Sequence, residues 1–252
     1  MLTASAAVRI GPYEVLRPLA RGRASRVLLA QTRDGRPLAL KLARGADLAR
    51  EHGLLGALRH PNLLQAFGHG REGGEEWLAL EAAAGPARGP VDEQVARRWL
   101  DQAAGALAHL HRSGWVHRDV KPANLLLRAD GSLALADLGS AVERGHVEAA
   151  ACGQARLVGS AAYAAPEQLQ GAAADPAADI YGLGAVLHEW LTGRPPFDGQ
   201  TPSELLAQHL AAPVPRLPAA LSHWQPLLDA LLAKSPARRP ADGAAVLTWK
   251  SS

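Results

Sequence analysis

The sequence predicts an α+β chain in two lobes, a small antiparallel sheet carrying one helix and then a larger, mainly helical part. Three observations carry this. Tyr13 to Leu19 and Arg26 to Thr32 alternate apolar and polar side chains at the strand period, whereas residues 92–111 repeat at the helical period and the chain after them is helix-rich. Between the two patterns stands Glu81-Ala82-Ala83-Ala84-Gly85-Pro86, which suits a connection better than either element. The chain thus divides into residues 1–81, a hinge at 82–86 and residues 87–252, with a ligand cleft expected at the junction.

Tyr13 to Leu19 and Arg26 to Thr32 form the first strands, joined through Leu19-Ala20-Arg21-Gly22-Arg23-Ala24-Ser25-Arg26-Val27. Small residues in a strand-turn-strand let backbone amides approach phosphate oxygens, and they equally suit an ordinary hairpin. Asp34-Gly35 turns the chain into Pro37-Leu38-Ala39-Leu40-Lys41-Leu42, where Lys41 interrupts an apolar strand and must snorkel to water or find a partner. Asp47 to Leu58, apolar at 48, 54, 55 and 58, reads as a helix bearing Glu51. Leu63 to Gly70 and Trp77 to Leu80 complete the sheet. Asp92 caps a long helix to His111, apolar at 95, 99, 100, 103, 107 and 110, and Gly114 follows its end. Further helices are expected at 167–170, 177–192, 202–211, 224–233 and 242–249, separated by turns rich in glycine and proline.

The totals exclude several classes. Hydrophobic residues make up 48% of 252, enough for a packed core. The net charge of +3 is uneven, with 12 basic against 7 acidic residues over 1–80 and 15 against 17 over 81–252. That excess suits a polyanionic ligand such as a nucleotide and falls far short of a nucleic-acid-binding patch. Cys152 is the single cysteine, so no intrachain disulfide forms and a reducing cytoplasm is the expected compartment. The start lacks a signal-peptide core, and the apolar stretch Ile180 to Leu191 is interrupted by His188 and Glu189, so no membrane insertion is expected. Histidines 109, 111, 188 and 209 make no metal-ligand pattern and read as surface or packing residues, and Trp115 and Trp190 as core.

The chemistry concentrates in Val116 to Leu127, VHRDVKPANLLL. Of 27 Lys+Arg residues only 41, 121, 234 and 250 are lysine, and asparagine occurs only at 62 and 124. A chain so poor in both nevertheless sets Lys121 and Asn124 beside Asp119 in one loop. A second acidic turn follows, Ala136-Asp137-Leu138-Gly139. Two carboxylates and a carboxamide suit magnesium held beside a polyphosphate, because that ion takes a few protein oxygens and leaves the rest to phosphate and water.

These stretches resemble the HRDxKxxN catalytic loop and the DFG magnesium loop of the eukaryotic-type (Hanks-type) serine/threonine protein kinases, and the arginine-rich, lysine-poor composition points to a bacterial member. Gly159-Ser160-Ala161-Ala162-Tyr163-Ala164-Ala165-Pro166-Glu167 is similar to the family's GTxxYxAPE segment. Asp179 to Gly184 is similar to the start of its buried helix αF, and Arg239 to the arginine that pairs with the APE glutamate, here Glu167. The likeness runs from about Tyr13 to Trp249 in family order. It implies the bilobal protein-kinase fold with a small antiparallel N-lobe sheet, helix αC over 47–58 and a mainly helical C-lobe.

The resemblance further implies ATP with Mg²⁺, or Mn²⁺ in its place, as cofactors and protein serine or threonine hydroxyls as acceptors. Lys41, oriented by Glu51, is expected on the α/β-phosphates, with Asn124 and Asp137 on the metal, Asp119 as the base and Lys121 on the γ-phosphate. Ala20, Gly22, Ser25, Val27, Ala39, Leu80, Glu81, Ala83 and Leu126 are expected around the nucleotide, with Leu80 as gatekeeper and the backbone near Glu81 and Ala83 on the adenine. Ser160 is expected near Asp119 and Lys121.

The departures bear on regulation. Only Gly22 of the three loop glycines is kept, Ala24 replaces the aromatic at the loop tip, and Leu138 replaces phenylalanine. Between 141 and 159 no hydroxyl exists, so Arg118 is expected to meet Glu143 or Glu148 in place of a phosphorylated loop residue. The alternative is a pseudokinase acting as a nucleotide-binding scaffold, suggested by the eroded glycine loop. A small-molecule phosphotransferase of related fold would lack the Ser160-to-Glu167 segment.

Overall fold

The computed structural model describes residues 8–22, 25–147 and 161–249. Arg23, Ala24, Glu148, Cys152 and Ser160 lie outside the described residues. The chain forms two compact units, Met1–Ala84 with Asp137–Gly139, and Gly85–Ala136 with Ser140–Ser252.

The first unit is an antiparallel sheet of six strands: β1 (Arg9–Ile10), β2 (Tyr13–Arg21), β3 (Ser25–Gln31), β4 (Pro37–Ala43), then helix α1 (Leu48–Ala57), β5 (Ala66–Glu72) and β6 (Glu75–Glu81). Its order is β1-β2-β3-β4-β6-β5. The alternation read from the sequence sends Tyr13, Ala30, Leu38, Leu40, Leu42, Trp77 and Ala79 into one core, where Tyr13 and Trp77 meet edge to face at 5.6 Å. Lys41 lies between Leu40 and Leu42 on β4 and so stands on the opposite face of the sheet. Asp47 caps α1, its side chain accepting the Arg50 N–H.

The strand expected from Leu63 begins at Ala66. Leu63 and Leu64 are buried, but the Leu63 N–H donates to the His60 carbonyl in a turn, and the first ladder pair is Ala66 with Leu80. Leu63 makes no more than an isolated bridge, so their hydrophobicity reports burial and not an extended strand.

The second unit holds β7 (Gly85–Pro86), α2 (Glu93–Arg112), β8 (Trp115–Val116), β9 (Leu125–Leu127), β10 (Leu133–Leu135), β11 (Val142–Glu143) and then α3 (Pro166–Leu169), α4 (Pro176–Thr192), α5 (Pro202–Ala211), α6 (Gln225–Leu231) and α7 (Gly243–Leu247). Asp92 caps α2 through the Gln94 N–H, and its apolar stripe buries Trp99, Leu100, Ala103, Leu107 and Leu110. α4 is buried from Pro176 to Leu191, the polar Asp179, His188 and Glu189 included, and ends at Gly193 with φ 80°. A 3₁₀ turn over Ala219–Trp224 precedes α6, whose Gln225–Leu231 lies within the helix expected over 224–233.

Two short ladders then set the loops that carry chemistry. β9 pairs with β7 and β10, and β8 pairs with β11. The loop from His117 to Asn124 is therefore held at both ends, by β8 before it and β9 after it.

Candidate active site

Lys41 finds two partners in the first unit. Its Nζ donates to Glu51 Oε2 at 2.6 Å and to Asp137 Oδ1 at 2.7 Å. Glu51 is 1% exposed, the Lys41 side chain 13% and Asp137 40%. Burial alone would lower the lysine, but the charges of Asp137 and Glu51 outweigh it and hold Lys41 above its ordinary value. Asp137 stands at φ 64°, a left-handed conformation that turns its carboxylate onto the lysine. The space beside the triad is tight: a Cβ on Gly139 would lie 3.1 Å from Asp137 Oδ1 and 3.3 Å from Glu51 Oε2. A side chain there would force these carboxylate oxygens to shift.

The same unit carries most of the residues expected on the nucleotide. Ala39 pairs with Leu80 and Ala20 with Val27 across the sheet. Gly22 N–H donates to the Ser25 carbonyl at 2.7 Å, closing the β2–β3 hairpin. Glu81 ends β6 with its N–H on the Gln65 carbonyl, and Ala83 follows outside regular structure.

The second unit gathers Asp119, Lys121 and Asn124. Lys121 Nζ lies 2.7 Å from Asp119 Oδ2. Asn124 Nδ2 donates to Asp119 Oδ2 at 2.9 Å and to the Asp119 carbonyl at 2.8 Å. The amide nitrogen is thereby turned inward, which leaves its oxygen as the group able to meet a cation. Leu126, on β9, pairs with Pro86 and Ala134.

This loop is anchored by a residue whose part sequence reasoning missed. Asp179, fully buried at the start of α4, accepts the backbone N–H groups of His117 and Arg118 at 2.7 Å each and the ring of His111 at 3.0 Å. Burial would raise this carboxyl, but the His111 hydrogen bond and the histidines around it hold it below the carboxylate range. His111 Nδ1 accepts the Gly243 N–H at 3.3 Å, so its Nε2 carries the proton given to Asp179. His117 likewise accepts the Asp119 N–H on Nδ1 and donates from Nε2 to the Ala136 carbonyl. Arg118 takes φ 68°, and its carbonyl accepts from Gln168. Of the histidines read as packing residues, His111 thus builds the loop's support. Its signal was only its helical position, since its partner lies 68 residues on.

Arg239 and Glu167 meet as expected from their motifs. The guanidinium, wholly buried, gives two bonds to the carboxylate (2.5 and 2.9 Å) and one each to the carbonyls of Ala233, Ala177 and Lys234. All five donors are spent. Tyr163 donates to Glu189.

Each unit offers oxygens of the kind a hard divalent cation takes, the Asp137 carboxylate in the first and the Asp119 carboxylate and Asn124 carboxamide in the second. Among the described residues no group of three His, Cys, Asp or Glu forms a closed metal cage, and no helix is long and apolar enough to cross a membrane.

A protein kinase domain family model matches residues 13–248. The chain is 36% identical over 192 residues to serine/threonine-protein kinase PknL of Mycobacterium tuberculosis (strain CDC 1551 / Oshkosh), covering 73% of this chain and 48% of that protein. It is 31% identical over 234 residues to serine/threonine-protein kinase PrkC of Bacillus subtilis (strain 168), covering 86% and 35%. To the Aurora kinase of Schizosaccharomyces pombe it is 30% identical over 251 residues, covering 91% and 68%. The chain spans about half the length of PknL and about a third of PrkC. The matched span takes in every group described above, and the chain belongs to the protein kinase domain family.

Proposed function

We propose that the chain is an ATP-dependent serine/threonine protein kinase, transferring the γ-phosphoryl group of Mg-ATP to protein hydroxyls. The observation that carries this reading is the Lys41 ammonium, held charged between Glu51 and Asp137 on a face of the sheet opposite the core. A lysine so fixed presents its remaining proton to an anion without reorganising, which is how a charge-spread, loose transition state is stabilised.

In this reading Lys41 binds the α/β-phosphates and Glu51 holds it in place. Asp137 and Asn124 bind the divalent cation, Mg²⁺ or Mn²⁺, which when bound neutralises charge on the phosphate oxygens. Asp119 accepts the proton of the acceptor hydroxyl, and Lys121, already against Asp119, offsets charge on the γ-phosphate. Residues 82–86 serve as the hinge, with the backbone at Glu81 and Ala83 meeting the adenine and Leu80 behind it. Ala20, Gly22, Ser25, Val27, Ala39 and Leu126 line the nucleotide. Glu167, tied to Arg239, steadies the segment that receives the protein acceptor. The lysine and asparagine in Lys121-Pro122-Ala123-Asn124 support serine and threonine as acceptors, and the two bacterial relatives bear that description in their names.

Radiolabelled ATP with magnesium and a generic basic protein tests the proposal. Wild type is expected to label serine and threonine. Asp119→Asn is expected to lose about 10²–10⁴-fold in rate, the usual contribution of a positioned base, and Lys41→Met to lose transfer as well. Nucleotide binding without any transfer in wild type would instead establish a scaffold.

A further inference from the structure

The helix that carries Glu51 meets the sheet through two imidazoles. His52, the next residue of α1 and half-buried, stacks on the exposed His69 of β5 with ring centroids 4.6 Å apart and planes within 17°. Neutral, the rings pack as flat plates. One proton sets a cation over a π face, which the stack tolerates. A second sets like charges ring on ring.

Among the described residues of the elements packed here, the carboxylates near the second proton are already engaged. α1 packs on β5 and β6. On β5, Arg71 follows His69 on the same strand face and is bound to Glu76 at 2.8 Å. On β6, Glu76 gives its other oxygen to the Leu48 N–H, and Leu78, opposite His69, is apolar. On α1, Glu51 is engaged by Lys41, while Arg50 and Arg59 add positive charge along the helix and its end. Both nearby carboxylates thus serve other partners.

We propose that His69 is a positioning residue for the Lys41–Glu51 pair: stacked on neutral His52 it seats α1 against the sheet, and protonation of both rings unseats the helix and withdraws Glu51 from Lys41. The inference rests on the reading of that pair as the nucleotide-holding group. Burial, and then the charge of His69, hold His52 below the ordinary histidine value of 6.5. The folded state therefore favours the neutral ring. The seat is complete above that value and weakens as pH falls below it.

Amide exchange over residues 48–57, corrected for the intrinsic pH dependence of exchange, reads the seat without requiring catalysis. Wild type is expected to lose about tenfold in protection between about pH 8 and about pH 5.5. His69→Phe keeps a ring on His52 and removes the second proton, so its loss is expected to stay under about twofold. His52→Phe is the second variant and is expected to flatten the profile in the same way. Equal protection at both pH values in wild type, or an undiminished fall in both phenylalanine variants, overturns the proposal. Phosphate transfer run alongside separates the two readings. Transfer with flat protection removes the seat and keeps the kinase, whereas a pH-dependent seat in a chain that transfers no phosphate at any pH does the reverse.

Discussion

Glu51 Oε2 lies 2.6 Å from Lys41 Nζ with only 1% of the carboxylate side chain exposed. A buried charge of this kind depends on its partner, so the two ends of the pair are unequal. Lys41→Met leaves Glu51 and Asp137 facing without a cation, and Glu51 then takes up a proton instead of staying ionised. Thermal unfolding is expected to register a loss of up to about 3 kcal/mol. Glu51→Gln keeps a hydrogen-bond acceptor on Lys41 and leaves Asp137 as its counter-charge, so it is expected to lose less. Equal losses would mean that Asp137 does not serve as the counter-charge and that Glu51 carries the ion pair.

The anchor at Asp179 gives a prediction in acid. Asparagine there can accept on one oxygen only and sets an NH₂ against one of the donors it replaces. Asp179→Asn is expected to cost roughly 2–4 kcal/mol, from two or more hydrogen bonds to a buried charge. Because the folded state depresses this carboxyl, its stabilisation is present above the ordinary aspartate value of 3.8 and is lost as pH falls through the lower folded value. Denaturant titrations should therefore show a wild-type lead that shrinks below about pH 4. A lead constant down to pH 2 would contradict the depressed carboxyl.

Arg239→Lys is expected to destabilise by roughly 2–4 kcal/mol despite keeping the charge. A lysine has three donors and no fork. It cannot reproduce two bonds to Glu167 together with three to backbone carbonyls. Urea unfolding checks this, and a loss below about 1 kcal/mol would mean that the carbonyls find other donors.

Lys234 tests the electrostatics of the same region from the opposite sign. Its ammonium sits 4.2 Å from the centre of the Phe197 ring and donates to the Gln208 carbonyl. Burial and the neighbouring Arg239 push it down to about 8. The folded state thus disfavours the charged form, and its contribution to stability improves as pH rises from about 8 to 10.5. The stability difference between Lys234→Met and wild type should move in favour of wild type across that window and stay flat below it. A difference independent of pH from 7 to 11 would exclude a shifted lysine.

Much of this was legible in the chain. Lys41 inside an apolar strand could not stay unpartnered, and Glu51 and Asp137 are its partners. Asp119, Lys121 and Asn124 lie within six residues, so any turn brings them together. The supports were less visible. Asp179 is one acidic residue at a helix start, where an aspartate ordinarily faces water, and only the chain path makes it the acceptor for a loop 61 and 62 residues earlier. His52 and His69 stack across a helix and a strand, and neither periodicity marks them. Leu63 and Leu64 misplaced a strand boundary because burial in a turn and burial in a ladder demand the same side chains.

Arg118 and Asp137, at φ 68° and 64°, hold a backbone that glycine or asparagine would adopt more readily. Cellular abundance and phosphate transfer should consequently rank substitutions at position 137 in opposite orders. On the proposed reading of Asp137 as a metal ligand, a library sorted for soluble yield alone would drift towards glycine there and discard phosphate transfer on the way, so a thermostabilised descendant has to be screened on transfer as well.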